Sequence, residues 1–227
     1  MNIAVTTLLF GEVPYFRYTE AINRRYCQLH GYRFVVTRPE YEVDRSPIWY
    51  KVRGVRELLI DSDYVLFLDA DAYFCEPSRS IEELIAEHMG DAAMILGTDR
   101  RDKDFAWSDN NGNCGVFLVR RCAEAFRILD DWWQSPLKRE WLNAGRRRRW
   151  LWQWPPEQGS FNSFIRLGRN RRWIRTIYYA HMNGVDGGFI RHLIGFTDEQ
   201  RLEHLRVAAR DALKPGLEAT SSGANSP

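Results

Sequence analysis

The stretch from Tyr64 to Phe74, Tyr-Val-Leu-Phe-Leu-Asp-Ala-Asp-Ala-Tyr-Phe, constrains this chain more than any other. A nearly unbroken apolar run framed by charge is the pattern of a strand buried on both faces, which belongs in a mostly parallel sheet covered by helices. The run meets two acids, Asp69 and Asp71. In an extended segment alternate side chains share a face, so the two carboxylates point the same way, Ala70 points inward, and one ion fits between the acids. The expectation is a divalent-metal site at the carboxyl edge of an α/β sheet, where open folds of this kind bind ligands.

The flanking segments alternate between strand and helix patterns. Asn2 to Phe10 reads as a first strand, and the hydroxyls of Thr6 and Thr7 near its end suit a strand end as well as they suit a ligand. Tyr15 to His30 is patterned as an amphipathic helix closed by Gly31, and Tyr32 to Thr37 as a second strand. From Pro47, apolar residues at Trp49, Val52, Val55, Leu58 and Leu59 predict a helix. Lys51 opens it, where the helix dipole disfavours a cation, so a surface lysine and an anion contact are the two readings. Asp61-Ser62-Asp63 has the same acid spacing, but it precedes the apolar run and reads as a turn.

Ser80 to His88 and Ala123 to Trp133 read as helices, the second with an apolar side of Ala123, Phe126, Ile128, Leu129 and Trp133; Ala92 to Gly97 and Cys114 to Arg120 read as strands. Glu157-Gln158 leads into a helix to Arg166, Trp173 to Tyr179 is strand-like, and a capping box of Thr197 and Gln200 starts a last helix to Leu213. One α/β domain over 1–213 is expected, with residues 214–227 as a disordered tail.

The net charge of +2 does not suggest a nucleic-acid partner. Met1 leads into a short apolar stretch without a basic head, and no segment has the length of a membrane span, so a cytoplasmic chain is expected, with the Golgi lumen as the alternative for a piece of a longer anchored protein. Cys27, Cys75, Cys114 and Cys122 lack metal-ligand spacing and read as reduced, packed thiols. The four arginines from Arg146 precede Trp150-Leu151-Trp152-Gln153-Trp154 and two prolines, the makings of a loop or lid edge; the tryptophans suit packing, sugar stacking or peripheral contact with a membrane. His192, alone in apolar company, reads first as a core histidine.

Taken in order, several segments resemble one family. These are Tyr26 to Phe34, Trp49-Tyr50-Lys51, Tyr64 to Ala72, Asn113-Cys114-Gly115-Val116-Phe117-Leu118-Val119-Arg120, Glu157-Gln158 and His192-Leu193-Ile194-Gly195. The chain is similar to the glycosyltransferases of family 34, galactosyl-, mannosyl- and xylosyltransferases of the GT-A type. The resemblance implies a single-domain Rossmann-like α/β fold with a mostly parallel central sheet flanked by helices. It implies a retaining transfer of a hexose or pentose from a UDP-sugar to a carbohydrate or glycolipid acceptor, with Mn²⁺, or Mg²⁺ in its place.

Carried over residue by residue, the resemblance makes Asp69, Asp71 and His192 the metal ligands, reversing the core reading of His192, and sets Asp69 close to the ribose. It makes Thr6, Thr7, Lys51 and Gly195 nucleotide-sugar contacts beside the two acids. Asn113, Glu157 and Gln158 fall near the transferred sugar; the family often has Asp where this chain has Glu157, which is not assigned as a nucleophile. Two other classes compete. A haloacid-dehalogenase-type phosphatase also uses Asp-x-Asp after an apolar strand, but normally after the first strand. A non-enzymatic carbohydrate-binding protein would use the Trp-Arg segment and leave Asp69 and Asp71 dispensable.

Overall fold

A computed structural model of the chain describes residues 1–38, 46–98, 111–135, 156–184 and 188–214. The Arg146 to Trp154 segment and the tail beyond 214 lie outside the described residues. Among the described residues eight strands, β1 (Ile3–Leu8), β2 (Arg33–Thr37), β3 (Tyr64–Leu68), β4 (Ala72–Phe74), β5 (Met94–Thr98), β6 (Gly112–Arg120), β7 (Ile174–Ile177) and β8 (Ile190–His192), form two sheets. The larger sheet has the order β2-β1-β3-β6-β5-β7, and the smaller pairs β4 with β8. Every contact in the larger sheet is parallel except those of β6, which runs antiparallel to both β3 and β5.

The α-helices of the described residues are α1 (Phe16–His30), α2 (Tyr50–Leu58), α3 (Ile81–His88), α4 (Ala123–Gln134), α5 (Pro156–Ser160) and α6 (Asp198–Ala212). Side-chain alternation splits the core between the two faces of the large sheet. Ala4, Val65, Phe67, Phe117 and Val119 pack with Val52 and Val55 of α2 and Leu129 and Trp132 of α4. Val5, Leu66, Leu68, Val116 and Leu118 pack with Tyr26 of α1 and Leu84 of α3. The ends of the helices follow local chemistry. Gly31 takes φ 72° after α1, a left-handed conformation that costs glycine little. Reciprocal capping boxes at Ser80–Glu83 and Thr197–Gln200 satisfy the first amides of α3 and α6.

Three local expectations change. The run from Tyr64 to Phe74 is two strands in two sheets, with Asp69 to Asp71 forming a turn closed by the Ala72 amide donating to the Asp69 carbonyl at 2.9 Å. Strand alternation therefore does not set these side chains, and Ala70 is half-buried while Asp71 is buried. On α4, Trp132 rather than Trp133 fills the core, because Ala125, Ile128, Leu129 and Trp132 form its buried side. After α5 the chain continues as a π-helical turn, Phe161–Ile165, instead of a regular α-helix.

Candidate active site

The turn between β3 and β4 is held from several sides. The Asp69 amide donates to the Gly115 carbonyl of β6 at 2.7 Å, so the acid begins where β3 leaves the sheet. Buried Asn23 of α1 fixes β4 by donating to the Ala72 carbonyl at 2.9 Å and accepting from the Phe74 amide at 3.2 Å. β4 then pairs antiparallel with β8, with Ala72 opposite His192, and the Leu193 amide donates to the Asp71 carbonyl at 3.2 Å. A residue more than a hundred positions away is thus delivered beside the two acids.

Asp69, Asp71 and His192 each offer one ligand atom, and the three atoms lie within 4.8 Å of one another. His192 Nε2 is 3.2 Å from Asp71 Oδ1 and 3.7 Å from Asp69 Oδ2. Two carboxylate oxygens and an imidazole nitrogen fit a divalent ion such as Mn²⁺ or Mg²⁺. Gly115 keeps the space clear: a Cβ there would stand 2.1 Å from His192 Cε1 and 2.7 Å from Asp69 Oδ2. The behaviour of the charges agrees with this use. Burial works against ionisation of Asp71, but His192 and Arg201 outweigh it and hold the carboxyl at about 2. Burial likewise lowers His192, yet Asp71 and Asp69 raise it overall, and a metal binding at Nε2 must displace that proton.

Lys51 lies beneath this cluster, 1% exposed, with its ammonium 3.0 Å from Asp69 Oδ1 and 3.1 Å from Glu157 Oε1. It also donates to the Cys114 carbonyl at 3.3 Å. Burial disfavours its charge, but the two carboxylates more than restore it and raise its pKa. One ammonium cannot fully neutralise two acids, and of the two only Asp69 reaches solvent. Asp69 takes the hydrogen bond, and Glu157, wholly buried, is pushed up by burial despite Lys51. Lys51 approaches Glu157 Oε1 off the hydrogen-bonding direction, and Oε2 meets no donor among the described residues. The Trp132 indole fixes the segment by donating to the Glu157 carbonyl at 3.0 Å.

The sugar-side candidates gather at the start of β6. Asn113 Oδ1 accepts from the Gly115 amide at 2.8 Å, and Gln158 Oε1 accepts from the Cys114 amide at 2.8 Å. Asn162, one helical turn after Gln158, clips both the amide and the carbonyl of Gly112 at 2.8 Å. Thr6 and Thr7 lie near the carboxyl end of β1, opposite Phe67 and Leu68 of β3, on the same sheet edge as Asp69. Thr6 Oγ1 is 3.1 Å from Thr37 Oγ1, and Thr7 Oγ1 is buried without a partner among the described residues. Gly195 occupies the third position of a turn closed by Phe196 to Leu193, where its φ of 80° favours glycine.

Two neighbours of the cluster have no signal in the sequence. Arg201 Nε donates to Asp71 Oδ2 at 2.8 Å, from a helix whose sequence signal is its capping box alone. Asn183 Oδ1 lies 3.3 Å from His192 Nδ1, and nothing distinguishes it from any loop asparagine.

Residues 16–150 match the model of the galactosyl transferase GMA12/MNN10 family, which is more than half of the chain. The chain belongs to that family. The match holds Lys51, Asp69, Asp71 and Asn113, whereas Glu157, Gln158 and His192 follow it. Among curated relatives, xyloglucan 6-xylosyltransferase 4 of Arabidopsis thaliana is 21% identical over 173 residues, covering 71% of this chain and 33% of its own length. Probable glycosyltransferase 6 of Oryza sativa subsp. indica is 25% identical over 111 residues, covering 47% of this chain and 22% of its own length. This family member therefore aligns with a third or less of those relatives.

Among solved structures, a glycosyltransferase involved in glycosylation of the major capsid of PBCV-1 superposes with a TM-score of 0.67 at 19% identity, over 91% of this chain and 100% of that one. The galactosyltransferase LgtC, in complex with donor and acceptor sugar analogues, superposes with a TM-score of 0.50 at 13% identity, over 96% of this chain and 98% of that one. These likenesses establish the GT-A fold for this family member.

Proposed function

We propose that this protein is a metal-dependent glycosyltransferase that moves a hexose or pentose from a UDP-sugar to a carbohydrate acceptor with retention of configuration. The observation that carries the reading is the meeting of Asp69, Asp71 and His192, with ligand atoms within 4.8 Å, at the edge of a GT-A sheet. When bound there, a divalent ion supplies Lewis-acid stabilisation of the negative charge that a departing nucleoside diphosphate concentrates on its phosphate. The protein's part is to hold the three ligands, to keep Gly115 clear beneath them, and to place Asn113 and Gln158 at the neighbouring end of β6.

Family membership and the sugar-transfer names of the relatives support a sugar donor, and galactose and xylose are the first candidates. Thr6 and Thr7 are assigned to the nucleotide side because they lie near the carboxyl end of the strand next to β3. Gly195 is assigned there as well, in the turn just after His192. Lys51 acts on donor binding through Asp69, with which its ammonium is already engaged. Glu157 is wholly buried behind that ammonium, which argues against a covalent glycosyl-enzyme and favours same-face departure and attack with the leaving phosphate as base.

The test is a donor screen with Mn²⁺ and a panel of UDP- and GDP-sugars, measuring nucleoside diphosphate release, with Asp71→Ala alongside. The wild type is expected to release UDP only with metal present, and the variant to fall to background. Unchanged affinity of Asp71→Ala for UDP and Mn²⁺ in calorimetry overturns the metal assignment.

A further inference from the structure

Each of the three candidate metal ligands has two polar atoms, and the structure treats the two differently. Asp69 turns Oδ2 toward His192 and gives Oδ1 to Lys51 at 3.0 Å. Asp71 turns Oδ1 toward His192 and gives Oδ2 to Arg201 at 2.8 Å. His192 faces both acids through Nε2 and meets Asn183 through Nδ1. The inward atoms form the ligand set, and each outward atom is held by a separate residue from α2, α6 or the loop before β8.

Arg201 is the most informative of these holders. It lies beyond the family-matched residues 16–150, on a helix packed against α1. Its guanidinium is fixed on three sides: Nε on Asp71, Nη1 on Asp198 Oδ1 at 3.2 Å, and the Tyr15 ring 5.6 Å from its centre. A charge-assisted bond of this geometry sets the plane of the carboxylate as well as its position.

We propose that Arg201 is a positioning residue that limits Asp71 to one-oxygen coordination of the divalent ion. The inference rests on the metal reading above. A free aspartate can chelate through both oxygens, which suits a large ion with six to eight ligands such as Ca²⁺. With Oδ2 held by Arg201, Asp71 supplies Oδ1 alone. Asp69, limited in the same way by Lys51, supplies Oδ2. Three protein atoms would then hold the ion, a small set that favours Mn²⁺ or Mg²⁺ over Ca²⁺, which takes more protein oxygens. Arg201 thus sets metal preference without touching metal or sugar.

The experiment measures Mn²⁺ binding by loss of the free-ion EPR signal, with UDP present, and Ca²⁺ binding by competition against it. Arg201→Met is expected to weaken Mn²⁺ by about tenfold, in the range found when an outer partner of a metal ligand is lost, and to weaken Ca²⁺ less, so that the Mn²⁺ to Ca²⁺ ratio falls. Arg201→Lys keeps the charge but lacks the Nε–H that meets Oδ2, and is expected to shift the ratio in the same direction by less. It carries the test if the methionine variant does not fold. Arg206→Met removes a positive charge from an exposed place on the same helix and should leave the ratio at the wild-type value.

An unchanged ratio in both Arg201 variants, whether or not overall affinity drops, overturns the positioning role and leaves the metal site standing. Tighter Mn²⁺ binding in Arg201→Met also overturns it, since the guanidinium would then be a competing cation. Failure of the wild type to bind Mn²⁺ with UDP overturns the metal reading and the inference together.

Discussion

Two of the Asp-x-Asp sequences in the chain lie at opposite ends of the same strand, and they have opposite fates. Asp61-Ser62-Asp63 precedes β3 at the surface, where Arg33 forks onto Asp61 at 2.7 and 3.0 Å and Arg121 reaches Asp63 at 2.7 Å. Asp69-Ala70-Asp71 follows β3 and meets His192, Lys51 and Arg201. Both pairs of acids face cations. At the first pair the partners remain in water, and such ion pairs contribute little. At the second, Lys51 and Asp71 are buried, so the charges cost several kcal/mol to desolvate and persist only because each is matched. The spacing of the acids is the same; burial and the arrival of distant residues make one of them a candidate site.

The strongest way to break this contrast is Lys51→Met, which leaves Asp69 and buried Glu157 without their shared cation. A loss of about 3–5 kcal/mol in urea unfolding is expected, as for the removal of one partner from a buried ion pair. A loss below about 1 kcal/mol would place this pair in the same class as the surface acids.

A finer effect comes from Glu157→Gln. The folded protein raises the Glu157 pKa above its ordinary 4.5, so the folded state keeps this proton longer than the unfolded chain does. Its stabilising contribution is complete below that ordinary value and declines as pH rises through the raised one. Glutamine should remove this part of the decline in a pH series of unfolding curves. The same slope in the variant would show that the Glu157 pKa does not change on folding. The smallest effect is expected from Asp61→Asn with Asp63→Asn, which should leave Mn²⁺ affinity and melting temperature near wild-type values; loss of metal binding there would erase the contrast.

Much of the fold is legible because its signals are local. The apolar run of β3, Gly31 after α1, and the Thr197–Gln200 box before α6 each state their conformation within a few residues. The turn at Asp69 to Asp71 is not legible, because the apolar pattern continues through Ala72-Tyr73-Phe74 while the hydrogen bonds pass to a different strand partner. The choice of Trp132 over Trp133 escapes for a similar reason: two adjacent indoles differ only in their angle about the helix axis. Within the site, Lys51 could be singled out at its helix start, but its burial between Asp69 and Glu157 could not.

Local patterns in the chain were enough to indicate the α/β class, the strand end where two acids meet, and residue types suited to a divalent ion and a diphosphate. Those follow from hydrophobic period and side-chain chemistry, which are properties of short segments. It took the packed chain to set His192 opposite Ala72 across β8 and to bring Lys51, Arg201 and Asn183 each onto the outward atom of one candidate ligand. These are contacts between residues separated by up to 130 positions. Their geometry depends on how helices and strands pack, which no local pattern encodes.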